Sequence, residues 1–183
     1  QRLVISNILS AAGKESEALP RQIVILPTGY GKSLCYMLPS VILKKPTVVL
    51  SPLLSLVQDQ ARRIRNSGIP VSILTGSQGK EEKEKSINDI RSGKSRILLT
   101  NPESLYPAAS SFFMPDKNGN TLISHLVVDE AHTVPEWGET FRAALIKTGE
   151  IIDIIKPECT TAFTATATPL IFEKIRKLIF ADN

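Results

Sequence analysis

The chain has 183 residues, 42% of them hydrophobic, which is enough to bury one sizeable core in a single domain over 1–183. Its 22 basic and 18 acidic residues leave a net charge of +4, too small to identify a polyanionic partner. Cys35 and Cys159 form no CxxC or Cys/His cluster, which argues against a disulfide framework and a zinc site. No apolar run reaches the roughly 18 residues of a membrane span. We therefore expect an intracellular protein without a membrane partner, nuclear in a eukaryote and cytoplasmic in a bacterium.

Helical and strand-like segments alternate along the chain. The predicted helices are 2–12, 32–43, 53–67, 80–92, 139–155 and 169–180. The predicted strands are 23–26, 47–50, 71–74, 96–100, 122–128 and 160–164. The strands are almost continuously apolar, as expected when helices cover both faces of a sheet. This pattern predicts an α/β domain with a doubly wound, mostly parallel sheet. Residues 107–121, with two prolines and an Asn-Gly-Asn sequence, are expected to include an exposed loop.

A glycine-rich turn follows the first predicted strand and precedes a helix. Its residues are Thr28, Gly29, Tyr30, Gly31, Lys32 and Ser33. The two glycines permit a tight curl whose N–H groups face phosphate oxygens, beside the positive end of the following helix. Lys32 would reach the terminal phosphates of a nucleotide, and the Ser33 hydroxyl would bind Mg²⁺. The strict pattern GxxxxGK[ST] is not met, because its first glycine would fall at Leu26. A glycine-rich turn without a ligand remains the alternative.

Two adjacent carboxylates follow the strand 122–128, in the sequence Asp-Glu-Ala-His. Ligands of doubly wound sheets bind at the carboxyl edge of the strands. Asp129 would orient Mg²⁺, and Glu130 would polarise the water that attacks the γ-phosphate. His132 would link the nucleotide site to neighbouring segments by a hydrogen bond. The competing interpretation is that acidic residues merely favour the start of a helix.

Several segments, taken in order, resemble the RecQ family of superfamily 2 DNA helicases. The segment 28–36 (TGYGKSLCY) resembles motif I of the family, and 48–60 (VVLSPLLSLVQDQ) resembles motif Ia. The segments 74–78 and 98–105 (LLTNPESL) resemble the nucleic-acid-side motifs that follow. The segment 127–142 (VVDEAHTVPEWGETFR) resembles motif II with its aromatic-rich loop, and 162–169 (AFTATATP) resembles motif III. The resemblance covers nearly the whole chain. It implies a RecA-like P-loop NTPase domain that uses ATP and Mg²⁺ to translocate along single-stranded DNA and unwind duplexes.

The resemblance also implies roles for further residues. The implied nucleic-acid contacts are Ser51, Pro52, Asn101, Pro102, Trp137, Phe141 and Arg142. Backbone N–H groups at Ser51 would bind a DNA phosphate, whereas the aromatic side chains would stack on bases. The implied coupling residues are His132, Thr164 and Thr166, and Gln1 would read adenine. Helix capping by Ser51 and ordinary packing of the aromatic residues are the alternatives.

The aromatic-rich loop departs from the family pattern at three positions. Glu136, Glu139 and Thr140 stand where Gln, His and Asp are typical. Because acidic side chains repel phosphate, these changes leave the coupling of DNA binding to ATP hydrolysis open. The family implies single-stranded and forked DNA as partners and a second RecA-like domain that supplies an arginine, so the 183 residues alone are expected to hydrolyse ATP slowly. An RNA helicase, a duplex translocase and a non-hydrolysing adaptor remain alternatives.

Overall fold

The computed structural model describes residues 1–13, 19–52, 54–133, 139–166 and 168–180. The strands of this part of the chain are β1 (Arg21–Ile25), β2 (Thr47–Leu50), β3 (Val71–Leu74), β4 (Ile97–Thr100), β5 (His125–Val128) and β6 (Cys159–Thr164). The helices are α1 (Arg2–Ala12), α2 (Lys32–Ile42), α3 (Leu54–Asn66), α4 (Lys80–Arg91), α5 (Pro102–Phe112), α6 (Glu139–Ile155) and α7 (Pro169–Ile179), with a short 3₁₀ helix at Ala131–Thr133. None of these helices is long and apolar enough to cross a membrane.

All strand pairs are parallel, in the order β1-β6-β5-β2-β4-β3. Both faces of the sheet are buried. Successive side chains of a strand point to opposite faces, and in this sheet they enter two different apolar clusters. On β2, Val48 and Leu50 pack in one apolar cluster with Leu126 of β5. Val49 packs in a second cluster with Val127. The predicted doubly wound parallel sheet is confirmed.

Every predicted helix and strand is present, with ends that differ by no more than three residues, but one helix was not predicted. Helix α5 occupies Pro102–Phe112, where no helix was predicted. Pro102 stands in its first turn, where a missing N–H costs nothing. Pro107 lies inside the helix, which loses one hydrogen bond there. The stretch 107–121 includes an exposed loop, as predicted. This loop begins after Phe112 and contains a turn in which the Asp116 carboxylate accepts from the N–H groups of Asn118 and Asn120.

The predicted functional segments lie along one edge of the sheet in the order of the strands that precede them. The glycine turn follows β1, the segment of Thr164 and Thr166 follows β6, and the two carboxylates follow β5. The predicted nucleic-acid residues follow β2 and β4, which come next in the sheet. Since all strands are parallel, these segments lie at the same carboxyl edge.

Helix α2 is held at its C-terminal end by a side chain from the loop before β4. The Arg96 guanidinium donates from Nε to the Ser40 carbonyl at 3.0 Å and from Nη1 to the Lys44 carbonyl at 3.4 Å. Its Nη2 donates to the Leu43 carbonyl. These carbonyls lack intrahelical partners, and a cation at this end also interacts favourably with the helix dipole. Because α2 begins directly after the glycine turn, Arg96 anchors the helix that carries Lys32.

We expect Arg96→Ala to lower the free energy of unfolding by about 2–3 kcal/mol, because several charge-assisted hydrogen bonds are lost together. Denaturant unfolding measures this change. Arg91→Ala is the matched control, since Arg91 is exposed at the end of α4, and it should change stability by no more than about 0.5 kcal/mol. Equal stabilities of the two variants would contradict the anchoring role of Arg96.

Candidate nucleotide site

The glycine turn after β1 has the backbone that a phosphate-binding loop requires. Gly29 and Gly31 have φ angles of 85° and 72°, in the left-handed region that favours glycine. A Cβ on Gly29 would meet no atom within 4 Å, so the turn is open on that side. Lys32 is the first residue of α2, and Ser33 lies in its first turn. The sequence and the backbone together therefore produce an open turn at a helix N-terminus.

The structure brings Lys32 and Glu130 together, although they are far apart in the sequence. Lys32 Nζ lies 2.5 Å from Glu130 Oε1, and the two side chains are 10% and 21% exposed. The Coulomb attraction in such a shielded ion pair is screened less than that of a pair on the surface. The pair marks the place where the loop after β1 meets the loop after β5.

Asp129 is buried beside this ion pair, with a relative exposure of 5%. Its Oδ1 accepts the backbone N–H of Glu130 at 3.0 Å, and its Oδ2 accepts from Gln60 Nε2 at 2.8 Å. Burial raises the pKa of Asp129, and the Glu130 charge raises it further, whereas Lys32 and the hydrogen bond from Gln60 act in the opposite direction. A cation bound here would favour the charged carboxylate.

His132 lies between the carboxylates and the segment after β6. The Ala165 N–H donates to His132 Nδ1 at 3.3 Å. Glu130 Oε2 is also 3.3 Å from His132 Nδ1 and would form an ion pair only if that nitrogen carried a proton. His132 Nδ1 can accept from Ala165 only without a proton, and it can pair with Glu130 only with one. In the segment after β6, the Thr164 hydroxyl donates to the Thr166 carbonyl at 2.5 Å.

Gln1 contacts the glycine turn. Its Nε2 donates to the Tyr30 carbonyl at 2.7 Å. A Cβ on Gly31 would lie 2.5 Å from the same Nε2, so Gly31 allows Gln1 to approach. The Tyr30 side chain is 65% exposed. Thr28 is also exposed at the start of the turn. Adenine recognition by Gln1 stays a prediction.

One part of the prediction for Ser51 is wrong. Its backbone N–H donates to the Thr100 carbonyl at 2.8 Å, because the pairing of β2 with β4 continues one residue beyond the strands. That N–H is therefore not free for a phosphate, and Pro52 has none. Ser51 is fully buried, and its hydroxyl has no hydrogen-bond partner among the described residues.

The other predicted nucleic-acid residues divide into two groups. Asn101 is the N-cap residue of α5, 7% exposed, and its Nδ2 donates to Glu103 Oε2 at 2.6 Å. Pro102 follows as the first helical residue. Trp137 and Glu136 lie outside the described residues, and for Phe141 and Arg142 the structure describes only a place in α6. Their roles in DNA binding stay predictions.

Sequence reasoning missed Gln60 as a residue of this site. It was part of the segment that resembles motif Ia but was given no role. The signal was its position on α3, one turn from Val57 and Ile64 on a face that is otherwise buried and apolar. A polar side chain on such a face needs a polar partner, and that partner is Asp129.

Comparison with known proteins decides the family. The DEAD/DEAH box helicase family matches residues 1–173. The chain belongs to this family. Within it, the chain is 40% identical over 157 residues to "ATP-dependent DNA helicase Q5" of Rattus norvegicus, covering 83% of this chain and 16% of that protein. It is 39% identical over 167 residues to "RecQ-like DNA helicase blm-1" of Caenorhabditis elegans, covering 87% of this chain and 17% of that protein. The predicted resemblance to RecQ helicases is confirmed.

The chain spans about one sixth of the length of these two relatives. A solved structure with the same fold is a hypothetical ATP-dependent RNA helicase from Sulfolobus tokodaii, with a TM-score of 0.66 and 21% identity. That match covers 98% of this chain and 49% of that one. It confirms the RecA-like fold that the sequence predicted.

Proposed function

We propose that this chain is the ATP-binding motor domain of an ATP-dependent DNA helicase, which couples hydrolysis of Mg²⁺-ATP to movement along single-stranded DNA and to unwinding. The observation that carries this proposal is the 2.5 Å contact between Lys32 of the glycine turn and Glu130 of the Asp-Glu-Ala-His sequence. The names of the relatives, which are DNA helicases, favour DNA over RNA.

The residues at this edge of the sheet suit a magnesium triphosphate. The turn is open at Gly29, and α2 directs its positive N-terminal end toward the turn. Asp129 supplies carboxylate oxygens, and Ser33 supplies a hydroxyl, both of which are ligands that Mg²⁺ prefers. When bound, Mg²⁺-ATP supplies the phosphoryl group and a cation that neutralises charge as that group is transferred.

Each residue of the site has a separate task in this proposal. Lys32 leaves Glu130 and binds phosphate oxygens. Glu130 then accepts a proton from the water whose oxygen bonds to the γ-phosphorus as the bond to the ADP oxygen breaks. His132 contacts Ala165 after β6 and therefore connects the hydrolytic carboxylate with the segment of Thr164 and Thr166. That segment would transmit the nucleotide state to a second RecA-like domain, which would supply an arginine.

ATP hydrolysis by the full-length protein, measured with Mg²⁺ and either single-stranded DNA or RNA of the same length, tests the proposal. We expect DNA to stimulate turnover more than RNA, and a forked DNA duplex to be unwound. Stronger stimulation by RNA would favour an RNA helicase. Stimulation by duplex alone would favour a duplex translocase, and DNA binding without turnover would favour an adaptor. An intracellular location, nuclear or cytoplasmic, belongs to the same proposal.

A further inference from the structure

Gln60 is held rigidly beside the proposed metal ligand. Helix α3 buries Val57, Ala61 and Ile64 in the apolar cluster that also contains Val127 of β5. Gln60 lies between these residues on α3, so its backbone position is fixed relative to β5. A side chain carried by such a packed helix can orient a neighbouring group.

The hydrogen bonds of Asp129 define what Gln60 does. One carboxylate oxygen is fixed by the backbone N–H of Glu130, and the other accepts from Gln60 Nε2 at 2.8 Å. Within the described residues, Gln60 supplies the side-chain hydrogen bond that prevents rotation of this carboxylate. Two N–H donors on two oxygens set the plane of the group and leave the remaining lone pairs in a fixed direction.

The oxygen of the Gln60 amide lies in a buried position. Gln60 Oε1 is buried and has no hydrogen-bond partner in the part of the chain that the structure describes. A buried amide oxygen without a donor is costly, and buried polar groups normally have a partner. A carboxylate that binds Mg²⁺ lies next to water molecules of the ion, because Mg²⁺ usually keeps several of them. Such a water is a donor of the required kind.

We infer that Gln60 is a positioning residue for the metal, which fixes the Asp129 carboxylate through Nε2 and accepts a hydrogen bond from a metal-bound water through Oε1. This inference rests on the proposed function, because it requires Mg²⁺-nucleotide to bind at Asp129. It adds a residue of α3 to the site.

The test is the Mg²⁺ dependence of binding of a fluorescent, non-hydrolysable ATP analogue to the full-length protein. For Gln60→Leu we expect the Mg²⁺ concentration for half-maximal binding to rise about 10-fold or more, because loss of such supporting groups typically costs 10–100-fold in metal affinity. Binding of the analogue without Mg²⁺ should not change. Gln58→Leu is the matched control, since Gln58 is exposed on the same helix, and it should behave as the wild type.

A second variant keeps the test decisive if Gln60→Leu folds poorly. Gln60→Met keeps the length of the side chain but removes both the N–H donor and the oxygen acceptor without adding a charge, so the half-maximal Mg²⁺ concentration should rise as it does in Gln60→Leu. An unchanged Mg²⁺ dependence in folded Gln60→Met would overturn the inference while leaving the proposed function intact. By contrast, a wild type that binds the analogue without any Mg²⁺ dependence would overturn both.

Discussion

Lys32→Ala is expected to lower ATP turnover of the full-length protein by about 10²–10³-fold, because one preorganised group that stabilises developing charge is removed. The nucleotide dissociation constant should rise as well, since Lys32 would also bind phosphate in the ground state. Steady-state ATPase kinetics with single-stranded DNA measure both effects. Normal DNA-stimulated turnover would contradict the role of Lys32.

Two further variants separate the role of Lys32 from general effects. Lys45→Ala removes a lysine that forms a similar ion pair, at 2.6 Å with Glu158. These two residues precede β2 and β6 and so lie at the amino ends of the strands, away from the nucleotide site. ATP turnover of this variant should be preserved. Glu130→Gln should lower kcat by about 10²–10⁴-fold, the usual contribution of a general base. Because Glu130→Gln also frees Lys32 from its ion pair, nucleotide should bind no more weakly than to the wild type. If Glu130→Gln bound nucleotide more weakly but kept a normal kcat, Glu130 would be a nucleotide-binding residue and not the general base.

Acid is expected to destabilise the domain through His125. This side chain is fully buried on β5, and burial lowers its pKa to about 3. The unfolded chain binds a proton near pH 6.5, whereas the folded chain does not until about pH 3. The stability that a neutral His125 provides is therefore complete above pH 6.5 and is lost as the pH falls. Between pH 6.5 and pH 5 the loss is about 2 kcal/mol.

The hydrogen-bond partner of His125 is an uncharged side chain. His125 Nε2 lies 3.0 Å from Thr161 Oγ1, a hydroxyl that also accepts from Gln22 Nε2 at 3.0 Å. Urea unfolding at pH 7 and pH 5 measures the effect, with His125→Gln as the control that cannot titrate. The difference in stability between wild type and variant should change by about 2 kcal/mol between the two pH values. A constant difference would contradict this account.

The sequence predicted the parts of the site that depend on a strand end and a turn. The glycine turn and the Asp-Glu-Ala-His sequence each follow an apolar strand directly, and parallel strands place their carboxyl ends at one edge. This rule predicts that Lys32 and Glu130 lie at the same edge of the sheet, whatever the order of the strands. The strand order itself was not predictable, because it depends on which helix packs on which face.

The features that the sequence did not predict depend on long-range contacts. Pro107 suggested a loop, but the packing of α5 against α6 outweighs one lost helical hydrogen bond. The Ser51 N–H could be assigned to the sheet only once β4 was known to lie beside β2. The contact of Gln60 with Asp129 joins two elements whose proximity no local pattern reveals.

The position of β6 between β1 and β5 has a consequence for biosynthesis. In the described sheet, β1 is an edge strand that pairs with β6. On the ribosome, the phosphate loop and both acidic residues emerge before Cys159–Thr164, the segment that must insert between their strands. Until that insertion, the nascent polypeptide has the chemical groups for nucleotide binding but no scaffold that holds them together. Insertion of β6 between β1 and β5 therefore assembles the nucleotide site.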